Sequence, residues 1–234
     1  IHDTGHARYE MGLKKAWRDK PVGKAMGMGV HESQSLFFEM QLGRSESFIG
    51  AVTPLLRKHF GDDSAIEPQN LHKLLTKVCP GLIRVAADEL TYPLHVILRV
   101  EIEREIIAGI TQVGDIPERW NEAMQTFFGL NTAGNYRDGP MQDIHWPMGA
   151  IGYFPAYTIG ALTAAQLFSA MVRDIPNVTE NIARLDLTPV FAWLSTRIWQ
   201  QGRLMNCEDI MTAATGETLN TKYFLTHLHN RYLR

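Results

Sequence analysis

Cysteine is scarce: Cys79 and Cys207 are the only two in 234 residues. That excludes a disulfide framework and any paired-cysteine metal knuckle, and it leaves free thiols, expected to be buried and in keeping with a reducing cytoplasm. No run of eighteen apolar residues occurs, so no segment reads as a membrane span. A basic stripe is also missing. With 23 Lys and Arg against 25 Asp and Glu the net charge is −2, which argues against a nucleic-acid partner because nothing offsets a phosphate backbone. Internal repeats, low-complexity tracts and long linkers are absent too, which removes solenoids and strings of separate modules from consideration.

What is present is helical periodicity. At 45% hydrophobic and 21% charged, the chain has the composition of a globular protein with a substantial core. Amphipathic runs predict helices over 1–16, 31–42, 45–60, 67–79, 91–109, 117–129, 147–173, 177–184, 187–201, 206–215 and 218–232. The fold class expected is therefore all-α. Lys20-Pro21-Val22-Gly23 and Gly27-Met28-Gly29 make the first connection glycine-rich, and Leu82–Ala86 is the best strand candidate, allowing at most a small edge hairpin. Trp120, Trp193 and Trp199 fall on amphipathic helices and are expected in a core or interface. His59, His72, His227 and His229 have no partners at useful spacing and read as surface or capping residues.

Chemistry concentrates at His2-Asp3-Thr4-Gly5-His6. Two histidines four apart on a helix project from one face, one turn apart, so both imidazoles can reach one Zn²⁺. This is the zinc-protease spacing with Asp3 where the general-base glutamate belongs. Alone it is weak, since nine histidines in a chain of this length produce such a pair by chance about one time in three. His31-Glu32-Ser33-Gln34-Ser35 opens a second amphipathic run, and Glu32 there can complete a His₂Glu set with one position open for water. The competing reading of Glu32 is a solvated carboxylate favoured by the start of its helix.

Longer motifs then accumulate in order: His2–Glu10, Gly29–Ser35, Gly43-Arg44-Ser45, Ile83–His95, Gly139–Trp146 and Gly152–Tyr157. Together they resemble the carboxypeptidase Taq metallopeptidases, along nearly the whole chain. The resemblance implies a mainly helical zincin-type fold like that of neurolysin and angiotensin-converting enzyme. It also implies a zinc metallocarboxypeptidase that releases single C-terminal residues from peptides with broad specificity. Zn²⁺, or Co²⁺ in its place, would be held once per subunit by His2, His6 and Glu32. A homodimer in the cytoplasm, with no membrane or nucleic-acid partner, is the implied setting, and the aromatic C-terminal helix is the expected contact. Family members are about twice as long and carry further N-terminal motifs. Residues 1–234 are thus expected to be the C-terminal part of a single helical catalytic domain, with the N-terminal half missing.

Roles follow from the resemblance. Arg84 is expected to bind the substrate's terminal carboxylate, as a guanidinium suits that task; the competing reading is a structural ion pair with Asp88 or Glu89. The Asn-, Gly- and Asp-rich loop from Leu130 to Met141 delivers Gln142, Asp143, His145 and Trp146 to the next helix. His145 and Tyr153 are expected to stabilise the oxyanion, with Tyr157 beside them as substitute or as core packing. Arg99 with Glu103, and Glu101 with Glu105, read as helix-surface charges. Asp3 is expected to act as the base. It is one methylene shorter than glutamate, and misplacement on the order of 1 Å costs about 100-fold. The alternative is therefore a catalytically impaired zinc-binding homologue or inactive fragment.

Overall fold

The computed structural model describes residues 1–233 and is 66% helical. The helices are α1 (His2–Gly12), α2 (Met28–Leu36), α3 (Glu46–Phe60), α4 (Pro68–Leu75), α5 (Tyr92–Ile107) and α6 (Ile116–Phe128). They continue as α7 (Pro155–Asp174), α8 (Val178–Ala183), α9 (Thr188–Arg197), α10 (Cys207–Thr215) and α11 (Lys222–Tyr232). Among the described residues there is no strand. None of the helices is long and apolar enough to cross a membrane.

Two compact units emerge: residues 1–76 with 159–234, and residues 77–158. In the first, Tyr9, Val30, Phe37, Phe38, Leu42, Leu167, Met171, Leu194, Trp199, Ile210 and Phe224 form a continuous core. The small residues Ala161, Ala164 and Ala165 bring α7 close to its neighbours. In the second, Leu98 and Ile102 of α5 meet Trp120, Ala123 and Met124 of α6, with Leu82 and Trp146 packed against them.

Several expected boundaries shift for identifiable reasons. The helix expected from 147 starts at Pro155, because Gly149 and Gly152 take left-handed φ values of 72° and 77° and Pro155 is pre-set for a first helical position. Leu82–Ala86 is not a strand: Arg84–Ala86 is a 3₁₀ turn, and the Arg84 N–H is donated to Gln142 Oε1 at 2.8 Å. Both cysteines are exposed rather than buried. Cys79 lies in an irregular stretch tied to Asp88 by its backbone N–H, and Cys207 opens α10 just after the capping residue Asn206.

Helix α1 is mostly polar and buries only Gly5 and Tyr9. Tyr9 is an anchor. Its hydroxyl accepts from the Met26 N–H at 2.9 Å, and burial pushes that hydroxyl up to about 12. Gly5 is a contact point: a Cβ built there would lie 2.3 Å from the Gln34 carbonyl oxygen and 2.6 Å from Ser35 Cα. The backbone of α2 therefore occupies the space a side chain at Gly5 would need. Gly160 on α7 plays a similar part, with a Cβ there falling 2.8 Å from Glu32 Cγ. Alanine normally favours a helix over glycine by about 1 kcal/mol. Gly5→Ala is nonetheless expected to destabilise the chain by about 1–3 kcal/mol in urea unfolding, because the clash is with backbone. A neutral or stabilising Gly5→Ala would show that α1 and α2 do not approach this closely.

Candidate functional site

His2 and His6 project from α1 toward α2 with ring centroids 5.0 Å apart. Glu32, 5% exposed on α2, faces both. Its Oε1 lies 3.7 Å from His2 Nε2 and its Oε2 lies 3.5 Å from His6 Nε2. The donor atoms of the three residues all fall within 4.8 Å of one another. Tetrahedral coordination with bonds near 2.0–2.1 Å would space neighbouring donors by about 3.4 Å, so the three residues fit one small divalent ion. Glu32 is buried against both imidazoles rather than solvated.

Groups behind these donors set the tautomers. Glu39, seven residues beyond Glu32, lies in a π-helical stretch, Phe37–Gly43, that continues α2. Its Oε2 is 2.7 Å from His2 Nδ1, and its Oε1 accepts from Arg44 Nη2 at 2.6 Å. Glu39 is thus placed to accept from His2 Nδ1, the arrangement that would turn Nε2 toward a metal once the ring is neutral. His6 Nδ1 is 2.7 Å from His31 Nδ1, and His31 Nε2 is 2.9 Å from Glu10 Oε1. A consistent assignment passes one proton donor per link, from His6 to His31 and from His31 to Glu10, which again leaves the His6 Nε2 lone pair free. Burial opposes ionisation of Glu39, but its bonds to His2 and Arg44 outweigh that and hold the carboxyl below its usual range. The Glu39 hydrogen bond raises His2, while burial and the neighbouring His31 lower His6. Metal uptake would thus displace a proton chiefly from His2. Asp3 is exposed on the first turn of α1 beside His2.

The second unit gathers the other expected residues. Arg84 is 4% exposed and donates from Nε and Nη2 to Asp143 Oδ1 at 3.0 and 2.8 Å, and from Nη1 to the Tyr92 hydroxyl at 2.8 Å. Its ion pair is with Asp143, and Asp88 instead receives the N–H groups of Cys79, Leu90 and Thr91. Arg99 is not a surface charge. It is fully buried, with Nε 2.6 Å from Asp143 Oδ2. Glu103 is buried too, accepting from Trp146 Nε1 at 2.9 Å and the Gly152 N–H at 3.0 Å, which pins the loop carrying His145. Glu101 and Glu105 both pair with Arg119. Burial lowers Arg99 to about 10; at Arg84 burial also lowers, but the hydrogen bond and charge of Asp143, with Tyr92 and Tyr157, together outweigh it and raise the group. Both remain cations, and the two bonds hold Asp143 below the usual carboxylate range against the effect of its burial.

His145 Nε2 is 2.9 Å from the Tyr157 hydroxyl. The His145 ring lies 5.3 Å from that of Tyr153 and 4.3 Å from that of Phe154. Tyr157 in turn lies under the Arg84 guanidinium, 4.6 Å from its ring centroid. Burial first, and then Arg84, push His145 below its ordinary value, so it is neutral at pH 7. Tyr153 precedes α7 rather than lying on it.

The sequence reading missed Glu39, His31, Glu10, Asp143, Arg99 and Glu103. Glu39 had a usable signal, a carboxylate two turns beyond Glu32 and five residues before an arginine. Asp143 lies in the Gly139–Trp146 motif, but its pairing with Arg84 and Arg99 carries no local signal, because those partners are 59 and 44 residues away.

A His-x₃-His helix crossed by a glutamate-bearing helix, each imidazole backed by a hydrogen-bonding partner, is the donor arrangement of a helical metallopeptidase. The chain belongs to the carboxypeptidase Taq (M32) metallopeptidase family, whose model matches residues 1–232. Membership implies a divalent metal. Thermostable carboxypeptidase 1 of Pyrococcus furiosus is 35% identical over 233 residues, covering 100% of this chain and 46% of the relative. Carboxypeptidase 1 of Bacillus subtilis is 38% identical over 239 residues, with 99% and 46% covered. Among solved structures, Trypanosoma cruzi metallocarboxypeptidase 1 superposes with a TM-score of 0.97 at 44% identity, over 100% of this chain and 49% of that one. The M32 carboxypeptidase of Deinococcus radiodurans gives 0.94 at 36%, with 99% and 47% covered. The chain spans about half the length of the curated relatives it matches.

His95 offers a test of the second unit by itself. It is fully buried on α5 and stacked on Phe128 at 4.3 Å, and burial, with Arg99 and Arg84, pushes it down to about 4 from 6.5. The unfolded chain takes up this proton first as the pH falls. The stabilisation is complete above about pH 6.5 and is lost toward pH 4, amounting to about 3 kcal/mol. Urea unfolding is expected to show that loss, and His95→Leu to remove that portion of it. Equal pH slopes in both proteins would contradict a neutral buried His95.

Proposed function

We propose that this chain is the metal-holding, C-terminal part of the helical catalytic domain of a metallocarboxypeptidase. It would release single C-terminal amino acids from peptides with broad specificity. The observation that carries the reading is the convergence of His2 Nε2 and His6 Nε2 on the two oxygens of Glu32, at 3.7 and 3.5 Å. Zn²⁺, with Co²⁺ as a substitute, is the ion this nitrogen and carboxylate set suits, one per subunit. When bound it would supply Lewis-acid polarisation of the scissile carbonyl and a nucleophile at neutral pH.

The chain's own residues have separate tasks. His2, His6 and Glu32 hold the ion, and Glu39 and His31 fix the two imidazoles in the ligating tautomer. The Asp3 carboxylate takes a proton from the attacking water and later gives it to the leaving amine. In the second unit two guanidiniums, Arg84 and Arg99, converge on Asp143, and a guanidinium is the group suited to a C-terminal carboxylate. Arg84 is the group assigned to that recognition, with Tyr157 beside it. Neutral His145 and Tyr153 are assigned as donors to the oxyanion. The proposal extends to a cytoplasmic homodimer acting on peptides. Helix α11 supports that contact less than its aromatic content suggested, because Phe224 is buried in its own core and Tyr223 bonds Glu217.

Asp3 favours a second reading, a metal-binding homologue with negligible turnover, since its carboxylate is one methylene short of the expected reach. Metal analysis after dialysis against Zn²⁺ or Co²⁺ should find one ion per chain, with Glu39→Ala weakening the affinity by about 10- to 100-fold. Substoichiometric metal in the wild-type chain would sink both readings. Hydrolysis of a blocked dipeptide then separates them: Asp3→Glu is expected to raise the rate, by up to about 100-fold if base placement limits it. Full metal occupancy without turnover in either form would favour the metal-binding homologue.

A further inference from the structure

The net charge of −2 hides one uneven stretch. Between Lys14 and Lys24, where the chain leaves α1 and turns toward α2, five of eleven residues are cations, Lys14, Lys15, Arg18, Lys20 and Lys24, and Asp19 is the single carboxylate. All five are exposed, and among the described residues none of them forms an ion pair. The stretch is nevertheless ordered. It makes two 3₁₀ turns, Lys15–Trp17 and Pro21–Gly23, joined by bonds from the Lys20 N–H to the Trp17 carbonyl at 2.8 Å and from the Gly23 N–H to the Lys20 carbonyl at 2.9 Å. A Cβ built on Gly23 would fall on the Trp17 carbonyl oxygen, so the two turns lie backbone against backbone and their cations share one small area. Arg203 anchors that area from another part of the chain, donating its N–H to the Val22 carbonyl and Nε to the Ala25 carbonyl, both at 2.8 Å. It is left out of the surplus because Glu208 and Asp209 follow it.

We propose that this area docks an acidic stretch of polypeptide. Carboxylates answer the unpaired charges, and four of the five cations are lysines, whose compact ammonium groups accept carboxylates without the paired geometry a guanidinium favours. A bilayer surface fits less well, since Trp17, the aromatic side chain of the stretch, is half-buried with Lys14 Nζ 4.1 Å from its ring centroid and is not free to enter lipid. The same cover denies Trp17 to a stacked base. The area also adjoins the helix that carries the metal-ligand candidates. Gly12 ends α1 about 9 Å along its axis from His6, a distance an extended peptide covers in about three residues. Glu10 lies on that path and is committed to His31. A peptide cut at the proposed metal site would therefore engage this area with acidic residues about four or more positions before the bond that breaks. This link to the substrate rests on the metal reading above; the docking does not.

Fluorescence anisotropy tests the docking, at low salt because exposed charges are screened. A labelled peptide of six glutamates, amidated at its C-terminus so that carboxylate recognition plays no part, should bind saturably, and its six-glutamine counterpart should not. Affinity for the glutamate peptide should fall about tenfold in the Lys14→Gln, Lys15→Gln, Lys20→Gln variant. The Lys58→Gln, Lys73→Gln, Lys77→Gln variant, which removes the same charge from exposed positions elsewhere, should bind like wild type. Every position changed is exposed, circular dichroism checks folding, and Lys15→Gln alone serves if the first variant does not fold. Absence of binding, or an equal fall in the two variants, overturns the docking. Sedimentation with phosphatidylserine vesicles that excess glutamate peptide does not displace would assign the area to lipid and overturn it as well. Hydrolysis by the Zn²⁺-loaded chain is then compared on two peptides that differ only in glutamate or glutamine upstream of the scissile bond. A preference for glutamate that is lost in the first variant supports the substrate link, and an equal preference in both proteins overturns it. No turnover of either peptide, with docking intact, overturns the peptidase reading and the link while the docking stands.

Discussion

The contact between the backbones of α1 and α2 at Gly5 sets the geometry of His2, His6 and Glu32. Helix α1 has almost no apolar face of its own, so hydrophobic burial cannot place it with any precision. Its position is fixed by steric fit against Gln34 and Ser35 and by the bond from the Met26 N–H to Tyr9. Imidazole nitrogens can meet the oxygens of Glu32 only because the two helix axes approach without a side chain between them. A mostly polar helix is thus held against α2 through the absence of one methyl group.

Electrostatics takes over in the second unit. Asp143 accepts from two buried guanidiniums and compensates the cost of burying their charge. Arg99 comes from α5 and Arg84 from the short 3₁₀ turn before it, while Asp143 lies in the long irregular segment after α6. One carboxylate thus ties together three stretches of chain that have little regular structure in common. Glu103 does the same for the loop beyond it, receiving both an indole and a backbone N–H. The loop holding His145 is ordered by buried polar bonds more than by apolar packing.

Much of this was legible in the sequence, and the division has a physical basis. Helical periodicity is local, so α3, α6 and α10 appear close to their expected limits. The His2, His6 and Glu32 set was legible because helical spacing links the histidines and the family motifs supply the glutamate. Positions decided by distant partners were opaque. Leu82–Ala86 has strand-like residues, yet the Gln142 side chain claims the Arg84 N–H from 58 residues away. Arg99 and Glu103 have the spacing of a surface pair and are buried for the sake of groups in another segment. The turns from Pro147 to Phe154 were hidden because an apolar run resembles a helix until glycine conformations are known.

The π-helical stretch Phe37–Gly43 carries one more implication, for how this segment can change over time. Glu39 lies in the first turn of this stretch, seven residues after Glu32 and so close to two full turns on, which puts it on the same side as Glu32, and both carboxylates reach one imidazole, His2. Each residue of an α-helix turns the chain by about 100°, so loss or gain of a single residue between Glu32 and Glu39 would swing one carboxylate away from the ring. Point changes on the outer side of the stretch leave that phase untouched. The length of this segment is therefore under tighter constraint than most of its letters, and a homologue with a one-residue gap here would have to rebuild the support of its first histidine from another element.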